Sequence, residues 1–402
     1  MTVYLLSVVQ GVGTLMTIIT SVPYSVCITL VVITFTLLTV LSGSKGVLMT
    51  DTIMFIIFTI ASLVSLGIVV NVAGGWYGAI GKLVHFEKIP GVIRWTNNLD
   101  YLYPSGIQNL IWGIGYGIVW TAVAMVAPWQ SSRYLMAKNE HATIRAGSTA
   151  AIGLFSVEFF VCCTAVFVNV INPNIAEQSH VLIWAALNVM PVALGVMFVT
   201  GVLAAGISSA TTFLSLIGSS FSVDLLGCKD EKKGVLYARL CIITIGIIVL
   251  ALAVFNPPSI FWIMYFGAAV IASSWLLVAV ASIWSKRITK TGAFLGMFLG
   301  FSSCFGTKLY SSLTNTSLPV YLDPFFVGIT LSLIGIVIGS AFTKLTDDEI
   351  AARAKLFTVP QSEKNPKDIA ITKKYAIMTI FLGLVIAVGL VLLWALPVTL
   401  NL

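Results

Sequence analysis

The sequence predicts an all-α protein that crosses a membrane many times. Of its 402 residues, 58% are hydrophobic and 9% are charged, whereas a soluble domain carries roughly 25% charged residues. The mean hydropathy is +1.02. A hydrocarbon core about 30 Å thick needs ~20 helical residues per crossing, because lipid offers no partner to an unpaired backbone group. We therefore expect helices along the whole chain.

Eleven apolar runs predict eleven transmembrane helices. The predicted spans are residues 2–20, 24–41, 52–72, 107–127, 147–170, 189–223, 235–255, 259–284, 292–312, 324–343 and 375–397. Residues 344–374 are too polar to span, so they predict a partly helical cytoplasmic linker between the main body, 1–343, and a final helix. The connection at 73–106 fits either a short external helix that acts as a lid or an ordinary surface loop.

Basic residues indicate how these spans are oriented. Alternate connections hold eighteen lysines and arginines on one side and four on the other. Lys and Arg concentrate in cytoplasmic loops, so the richer side is cytoplasmic, with the N-terminus inside and the C-terminus outside. The same bias accounts for the net charge of +7, and no nucleic-acid partner is expected.

Enzyme signatures are absent from the sequence. The three histidines lie in loops, and the six cysteines have no metal-like or paired spacing, so we expect the cysteines to be small buried side chains. Catalysis at bilayer depth needs paired acids or a nucleophile with a base. Glu158 is the one acid deep in an apolar run. A carboxylate there is costly unless it faces protein or water, which fits a functional role or a structural hydrogen bond.

The segment GIGYG, Gly113 to Gly117, lies inside the fourth predicted span. Each glycine weakens a helix by roughly 1 kcal/mol relative to alanine, so the segment predicts either a helix break or a packing seam. Broken helices at the bilayer midplane bind solute and ion in secondary transporters. Gly113 and Gly117 also have the spacing of a GxxxG helix contact, and both interpretations stay open.

The stretch LAAGISSATTFL, Leu203 to Leu214, places hydroxyls within another apolar run. On a helix, Ala205, Ser208, Ser209 and Thr212 share one face. Hydroxyl and carbonyl oxygens are hard ligands that suit a weakly bound sodium ion. The alternative is a helix interface, in which each hydroxyl bonds to the carbonyl one turn back.

Three stretches together resemble the sodium/solute symporter family. LSGSKGVLMTD, from Leu41, is similar to the family's L-G-G-x-K-A-V-x-x-T-D, although Ser42 and Gly46 replace a glycine and an alanine. PWQSSRYLMAKNEHATIRAG, from Pro128, resembles the family's cytoplasmic segment. LAAGISSATTFLSLIGSSFSVDLL, from Leu203, is similar to the family helix A-A-x-x-S-(S/T) with a later acid, here Asp224.

The resemblance implies a fold and a set of candidate site residues. The fold is a leucine-transporter-like core of two inverted five-helix repeats with flanking helices. Ser208 and Ser209 occupy the positions of the family's sodium-binding pair, and Ala205 accompanies them. GIGYG would be the broken region of the helix that opens the second repeat. The candidate solute or gate residues are Gly113, Gly115, Tyr116, Gly117 and Glu158.

The implied function is sodium-coupled symport of a small polar organic solute across the plasma membrane, in bacteria the inner membrane. Na⁺ is the coupling ion, and no cofactor, other metal or enzyme activity is expected. The position of the TD motif implies about three spans before Met1, one of them a broken helix whose carbonyls would complete the sodium site. A solute-sensing module on the same scaffold and a non-transporting truncated fragment stay open as alternatives.

Overall fold

A computed structural model describes residues 1–41, 44–89, 91–94, 102–256 and 259–401, without the side chains of 44–51. All regular elements in these ranges are helical, which confirms the predicted all-α class. The motif residue Gly43 lies outside the described residues, and the side chains of Lys45 and Asp51 do so as well.

The described chain contains α-helices and a few short helical turns. Three of those turns are π-helical and continue a longer helix: Phe221–Leu225, Ala272–Leu276 and Val391–Ala395. The α-helices are α1 Thr2–Thr20, α2 Tyr24–Leu41, α3 Ser44–Val72, α4 Trp76–Val84, α5 Gly106–Val126, α6 Pro128–Leu135, α7 Glu140–Ile171, α8 Val181–Asn188, α9 Val192–Ser220, α10 Glu231–Phe255, α11 Ile260–Ile271, α12 Leu277–Trp284, α13 Lys290–Thr314, α14 Pro324–Ala341, α15 Asp347–Leu356, α16 Pro366–Leu390 and α17 Leu396–Leu400.

Ten helical stretches of the described ranges are long and apolar enough to cross a membrane. The sequence predicted eleven, and the difference is the run at 292–312. That run lies in α13, whose 25 residues include several glycines and serines, so it is long enough but less apolar. These small residues let α13 pack closely on α14: an added Cβ at Gly339 would lie 2.6 Å from Gly292 Cα.

The chain divides into two compact units. The first comprises Met1–Lys88, Thr149–Met264 and Leu382–Leu402. In this unit α9 packs against α1, α3 and α10. Glycines allow the close approach, because a Cβ added at Gly206 would meet the side chain of Val12 on α1. The position of α9 is therefore set by close contacts between its backbone and the neighbouring helices on its packed side.

The second unit comprises Ile89–Ser148 and Tyr265–Phe381. Here α5, α13, α14 and the π-helical turn at Ala272–Leu276 pack together. Ser273 in that turn is fully buried, and its hydroxyl donates to Ala269 O at 2.7 Å. The contacts place the first turn of α14 beside α5.

The predicted cytoplasmic linker contains α15, which begins with a capping box between Thr346 and Glu349. Its far end contacts the segment around α7, because Arg145 Nη2 donates to Asp368 Oδ1 at 2.9 Å. His141 Nε2 lies 2.9 Å from the carbonyl oxygen of Glu363. The division of the chain at residues 343 and 374 stays a prediction.

The connection at 73–106 contains the helix α4. Trp76 of α4 donates from Nε1 to Leu393 O at 2.7 Å, and its ring meets that of Phe167 at 4.9 Å between centroids. Farther along, Lys88 Nζ donates to Pro173 O at 2.6 Å. The short helix that the sequence predicted as one of two possibilities for this connection is thus present, and its role as a lid stays a prediction.

Candidate sodium and solute sites

The predicted sodium residues lie midway along α9, in the first unit. Within the stretch from Leu203 to Leu214, Gly206, Ala210 and Phe213 are buried, whereas Ser208 and Ser209 are half-buried. Ala205, one turn earlier, is exposed. The helical repeat puts Ser208 on the side of α9 opposite Gly206 and Ala210, and it puts Ser209 on the flank next to the packed side. The Ser208 hydroxyl therefore lies away from the packed side, and the Ser209 hydroxyl lies at its edge.

The hydroxyl groups of Ser208 and Ser209 differ from most others on the helices. Thr211 donates to Ile207 O at 2.9 Å, and Ser65 on α3 donates to Ala61 O at 2.6 Å. Such back-bonding is the usual behaviour of a helical hydroxyl in an apolar setting. Among the hydrogen bonds between described residues, none uses the Ser208 or Ser209 hydroxyl. Both oxygens are therefore available to a ligand. In a helix interface, by contrast, each hydroxyl would bond to the carbonyl one turn back.

The segment GIGYG lies in α5, which runs without a break from Gly106 to Val126. The predicted helix break is therefore wrong. A glycine costs only about 1 kcal/mol in a helix, whereas an unpaired backbone group in an apolar setting costs several.

The predicted contacts of Gly113 and Gly117 are wrong as well, since a Cβ on either residue would meet nothing within 4 Å. The close contact is instead at Gly115, where a Cβ would lie 2.6 Å from Phe326 Cζ on α14. Gly113 and Gly117 are exposed, so they leave open space beside Tyr116.

Tyr116 belongs to an aromatic cluster within the second unit. Trp112, Tyr116 and Trp120 follow one another at four-residue spacing on one face of α5, and neighbouring rings lie 5.4 and 5.9 Å apart between centroids. Tyr265 of α11 stacks on Tyr116 at 5.9 Å with a 20° interplanar angle. Its ring also lies 5.6 Å from that of Trp112. The three α5 rings are half-buried, so the cluster presents aromatic surface.

Glu158 lies on α7, in the first unit, with an exposed side chain. None of the hydrogen bonds or ion pairs among the described residues involves it. The structure thus does not give Glu158 the buried partner that a structural hydrogen bond would provide. A role in solute handling stays a prediction for this residue.

Sequence reasoning missed a polar group at the edge of the aromatic cluster. Asp323 precedes α14, is 8% exposed, and caps that helix by accepting from Phe325 N at 2.9 Å. Burial raises its pKa above the ordinary value. Burial and the nearby Asp323 charge together raise the pKa of Tyr103 to about 12. In the sequence, Asp323 before Pro324 is the pattern of a helix N-cap. Because capping alone explains an acid at this position, the sequence gives no reason to expect a second role.

Asn109, in the first turn of α5, is a second buried polar residue and bonds to the backbone of Tyr103. It lies on the same helix face as Trp112 and Tyr116, and its Nδ2 donates to Tyr103 O at 3.1 Å. Asn109 is 5% exposed, and its Oδ1 has no hydrogen-bond partner among the described residues. A buried polar atom without a partner is uncommon and calls for a physical explanation.

No group of three or more His, Cys, Asp or Glu residues in the described ranges could hold a metal ion. The oxygen ligands that this chain offers on α9 are neutral hydroxyls. Neutral oxygens suit a weakly held monovalent cation better than a transition metal.

The comparison with known families decides the identity of this scaffold. A family model described as the sodium:solute symporter family matches residues 1–300. The chain belongs to the sodium:solute symporter family. The family resemblance carried by the three sequence stretches is therefore confirmed.

Two relatives of this symporter-family chain illustrate the match. A sodium/pantothenate symporter of Haemophilus influenzae is 23% identical over 287 residues, which are 70% of this chain and 57% of that protein. This chain thus spans less than two thirds of that relative's length. A solved structure of a Na⁺-coupled sialic acid symporter, in a substrate-bound outward-open state, has a TM-score of 0.62 and 16% identity, covering 86% of this chain and 72% of that one.

The structural similarity confirms the leucine-transporter-like fold class expected from the sequence. Family membership and the ten apolar helices make the chain a multi-pass membrane protein. At 16% identity the similarity establishes the fold alone.

Proposed function

We propose that this chain carries out sodium-coupled symport of a small polar organic solute across the plasma membrane. The observation that carries the proposal is the pair of half-buried hydroxyls on α9, Ser208 and Ser209, which are not used by the helix backbone. By the sequence resemblance they correspond to the family's sodium-binding pair, and the chain belongs to that family. The N-terminus is proposed to be cytoplasmic and the C-terminus external, following the basic residues.

In the proposed cycle, sodium binds at Ser208 and Ser209 with Ala205 at the edge of the site. The solute binds along the GIGYG segment of α5, beside Tyr116, where Gly113 and Gly117 leave open space and Gly115 lets α14 approach. Sodium that binds one conformation more tightly shifts the population toward it. Solute and ion then leave together when the core alternates between its two open states.

The energy of the sodium gradient is adequate for uphill uptake. One sodium ion gains about 2.3 kcal/mol per 100 mV of membrane potential, and about 1.4 kcal/mol for a tenfold concentration gradient. The sum supports a gradient of several hundredfold for a neutral solute at one-to-one coupling. No covalent step is part of the proposal, so no cofactor is required.

The proposal is tested on the purified chain reconstituted into vesicles with an inward sodium gradient. Solutes from a mixed pool of amino acids, sugars, carboxylates and amines should accumulate inside, and accumulation should be lost when potassium replaces sodium. Binding of a solute without its accumulation would support the sensing module. A folded chain that binds neither sodium nor any solute would support the non-transporting fragment.

A further inference from the structure

The aromatic face of α5 ends at a group of hydrogen-bond acceptors. Asn109 lies one turn before Trp112 on the same face, and its Oδ1 is buried without a partner among the described residues. Asp323 immediately precedes α14, whose first turn reaches α5 at Gly115 through Phe326, and the Asp323 charge contributes to the raised pKa of Tyr103. Asn109 and Asp323 both belong to the second unit.

The position of Asp323 follows from how α14 packs on α5. Phe326, in the first turn of α14, contacts α5 where Gly115 lacks a side chain. The short turn Val320–Leu322 before Asp323 also packs against α5. Asp323 is therefore held beside α5, the helix that bears the aromatic cluster, by contacts on both sides of it in the chain.

The groups that face Asp323 are mostly neutral. Tyr103 precedes α5, Tyr265 lies on α11 and Cys304 lies on α13, and these uncharged groups carry no positive charge that could offset the carboxylate. Among the described residues, the cation whose charge acts on Asp323 is Lys308, which is exposed on α13. A buried carboxylate with so little compensation is costly, so a bound positive charge would stabilise it.

We propose that Asp323, Asn109 and the aromatic cluster of Trp112, Tyr116, Trp120 and Tyr265 form a binding site for an organic cation, an amine or a quaternary ammonium compound. The carboxylate balances the charge, and the Asn109 Oδ1 accepts from an N–H or O–H of the ligand. Ring faces attract a cation through their quadrupole. The Asp323 charge would repel a carboxylate or a phosphate, so we expect the site to disfavour anions.

The inference deepens the proposed function, because it names the class of the transported solute. A cationic solute also changes the energetics of uptake. The membrane potential then acts on the solute as well as on sodium, adding about 2.3 kcal/mol per 100 mV for each solute charge.

The test measures equilibrium binding to the full chain in detergent, with radiolabelled choline, tetramethylammonium and ethylamine as probes. The control ligand is the neutral isostere of choline, in which carbon replaces the ammonium nitrogen. At least one cation should bind about tenfold or more tightly than the isostere, as expected when a buried charge is matched. If no cation binds better than the isostere, the inference is overturned.

Two variants locate the binding on the named residues. Asp323→Asn keeps an oxygen that can cap α14 but loses the charge, so it should weaken binding of the cation about tenfold or more and leave the isostere unchanged. Tyr116→Leu should lower the affinity for the cation about fivefold. Tyr116→Phe keeps the ring, so its affinity for the cation should stay within about twofold of the wild-type value. If Asp323→Asn still prefers the cation over the neutral isostere as strongly as the wild-type chain does, the inference is overturned, even if the wild-type chain binds cations.

The binding assay separates this inference from the proposed function. Sodium-driven accumulation of a neutral or anionic solute, with no charge-selective binding at Asp323, would overturn the inference and leave symport standing. Charge-selective binding that depends on Asp323, without sodium-driven accumulation, would support the cation site and contradict symport.

Discussion

Replacing Ser208 or Ser209 by alanine tests the sodium site directly. A hydrogen bond that involves a charged group contributes about 1.5–3 kcal/mol, and we take the same magnitude for a hydroxyl oxygen facing a sodium ion. At about 1.4 kcal/mol per tenfold, each substitution should raise the sodium dissociation constant roughly tenfold to a hundredfold. The solute affinity at saturating sodium should change far less.

The structure also predicts that these variants keep their fold. Neither hydroxyl makes a hydrogen bond to a described residue, so alanine leaves no buried partner behind. Alanine is also the better helix former by about 0.5 kcal/mol. The thermal unfolding temperature should therefore stay unchanged or rise slightly, and a loss of sodium affinity cannot be attributed to unfolding.

The measurement is equilibrium binding of radioactive sodium to the purified chain in detergent. Ser219→Ala is the matched control, because Ser219 lies on the same helix, is exposed, and already donates to Leu216 O at 3.1 Å. This control should leave the sodium dissociation constant within about twofold. Folded Ser208→Ala and Ser209→Ala variants with wild-type sodium affinity would refute the assignment.

Three further predictions concern the second unit and the packing of α1. Because burial raises the pKa of Asp323 above its ordinary value, choline affinity should fall as the pH is lowered through that pKa, and Asp323→Asn should give a flat profile; equally flat wild-type binding would contradict this. Gly115→Ala should cost about 1–3 kcal/mol of unfolding free energy by collision with Phe326, whereas Gly117→Ala, which meets nothing, should stabilise by up to ~1 kcal/mol; equal effects in chemical denaturation would show that the contact is absent. Gln10→Leu should cost about 1–3 kcal/mol in the same assay, since fully buried Gln10 accepts from Ser259 N at 3.2 Å; wild-type stability would mean that this bond contributes nothing.

Sequence reasoning succeeded where a property repeats along one helix. The apolar runs located the spans to within a few residues at most ends, because hydropathy and length are local properties. The 3.6-residue repeat placed Ala205, Ser208 and Ser209 on one face of α9, and in the structure all three are less buried than Gly206 on the packed side. Their role in sodium binding stays a prediction that the binding assay decides.

Sequence reasoning failed where a residue's effect depends on its neighbours in space. Glycines at 113, 115 and 117 look alike in the sequence, yet only Gly115 meets a partner, because Phe326 arrives there from α14. The expectation of buried cysteines holds for Cys27, Cys163 and Cys304 but is wrong for Cys162, which is exposed. Neighbours on one helix point in different directions, and only the packing decides which direction is inside.

The sequence by itself determined the all-α membrane class, the order of the helices and the family, since these depend on hydropathy, periodicity and short motifs read along the chain. Only the tertiary structure decided that α5 stays unbroken, that Tyr265 stacks on Tyr116, and that the first turn of α14, next to Asp323, reaches α5 at Gly115. Tyr265 and Asp323 each lie more than a hundred positions from Asn109 and Tyr116 along the chain. Their meeting follows from how whole helices pack, which no local pattern records.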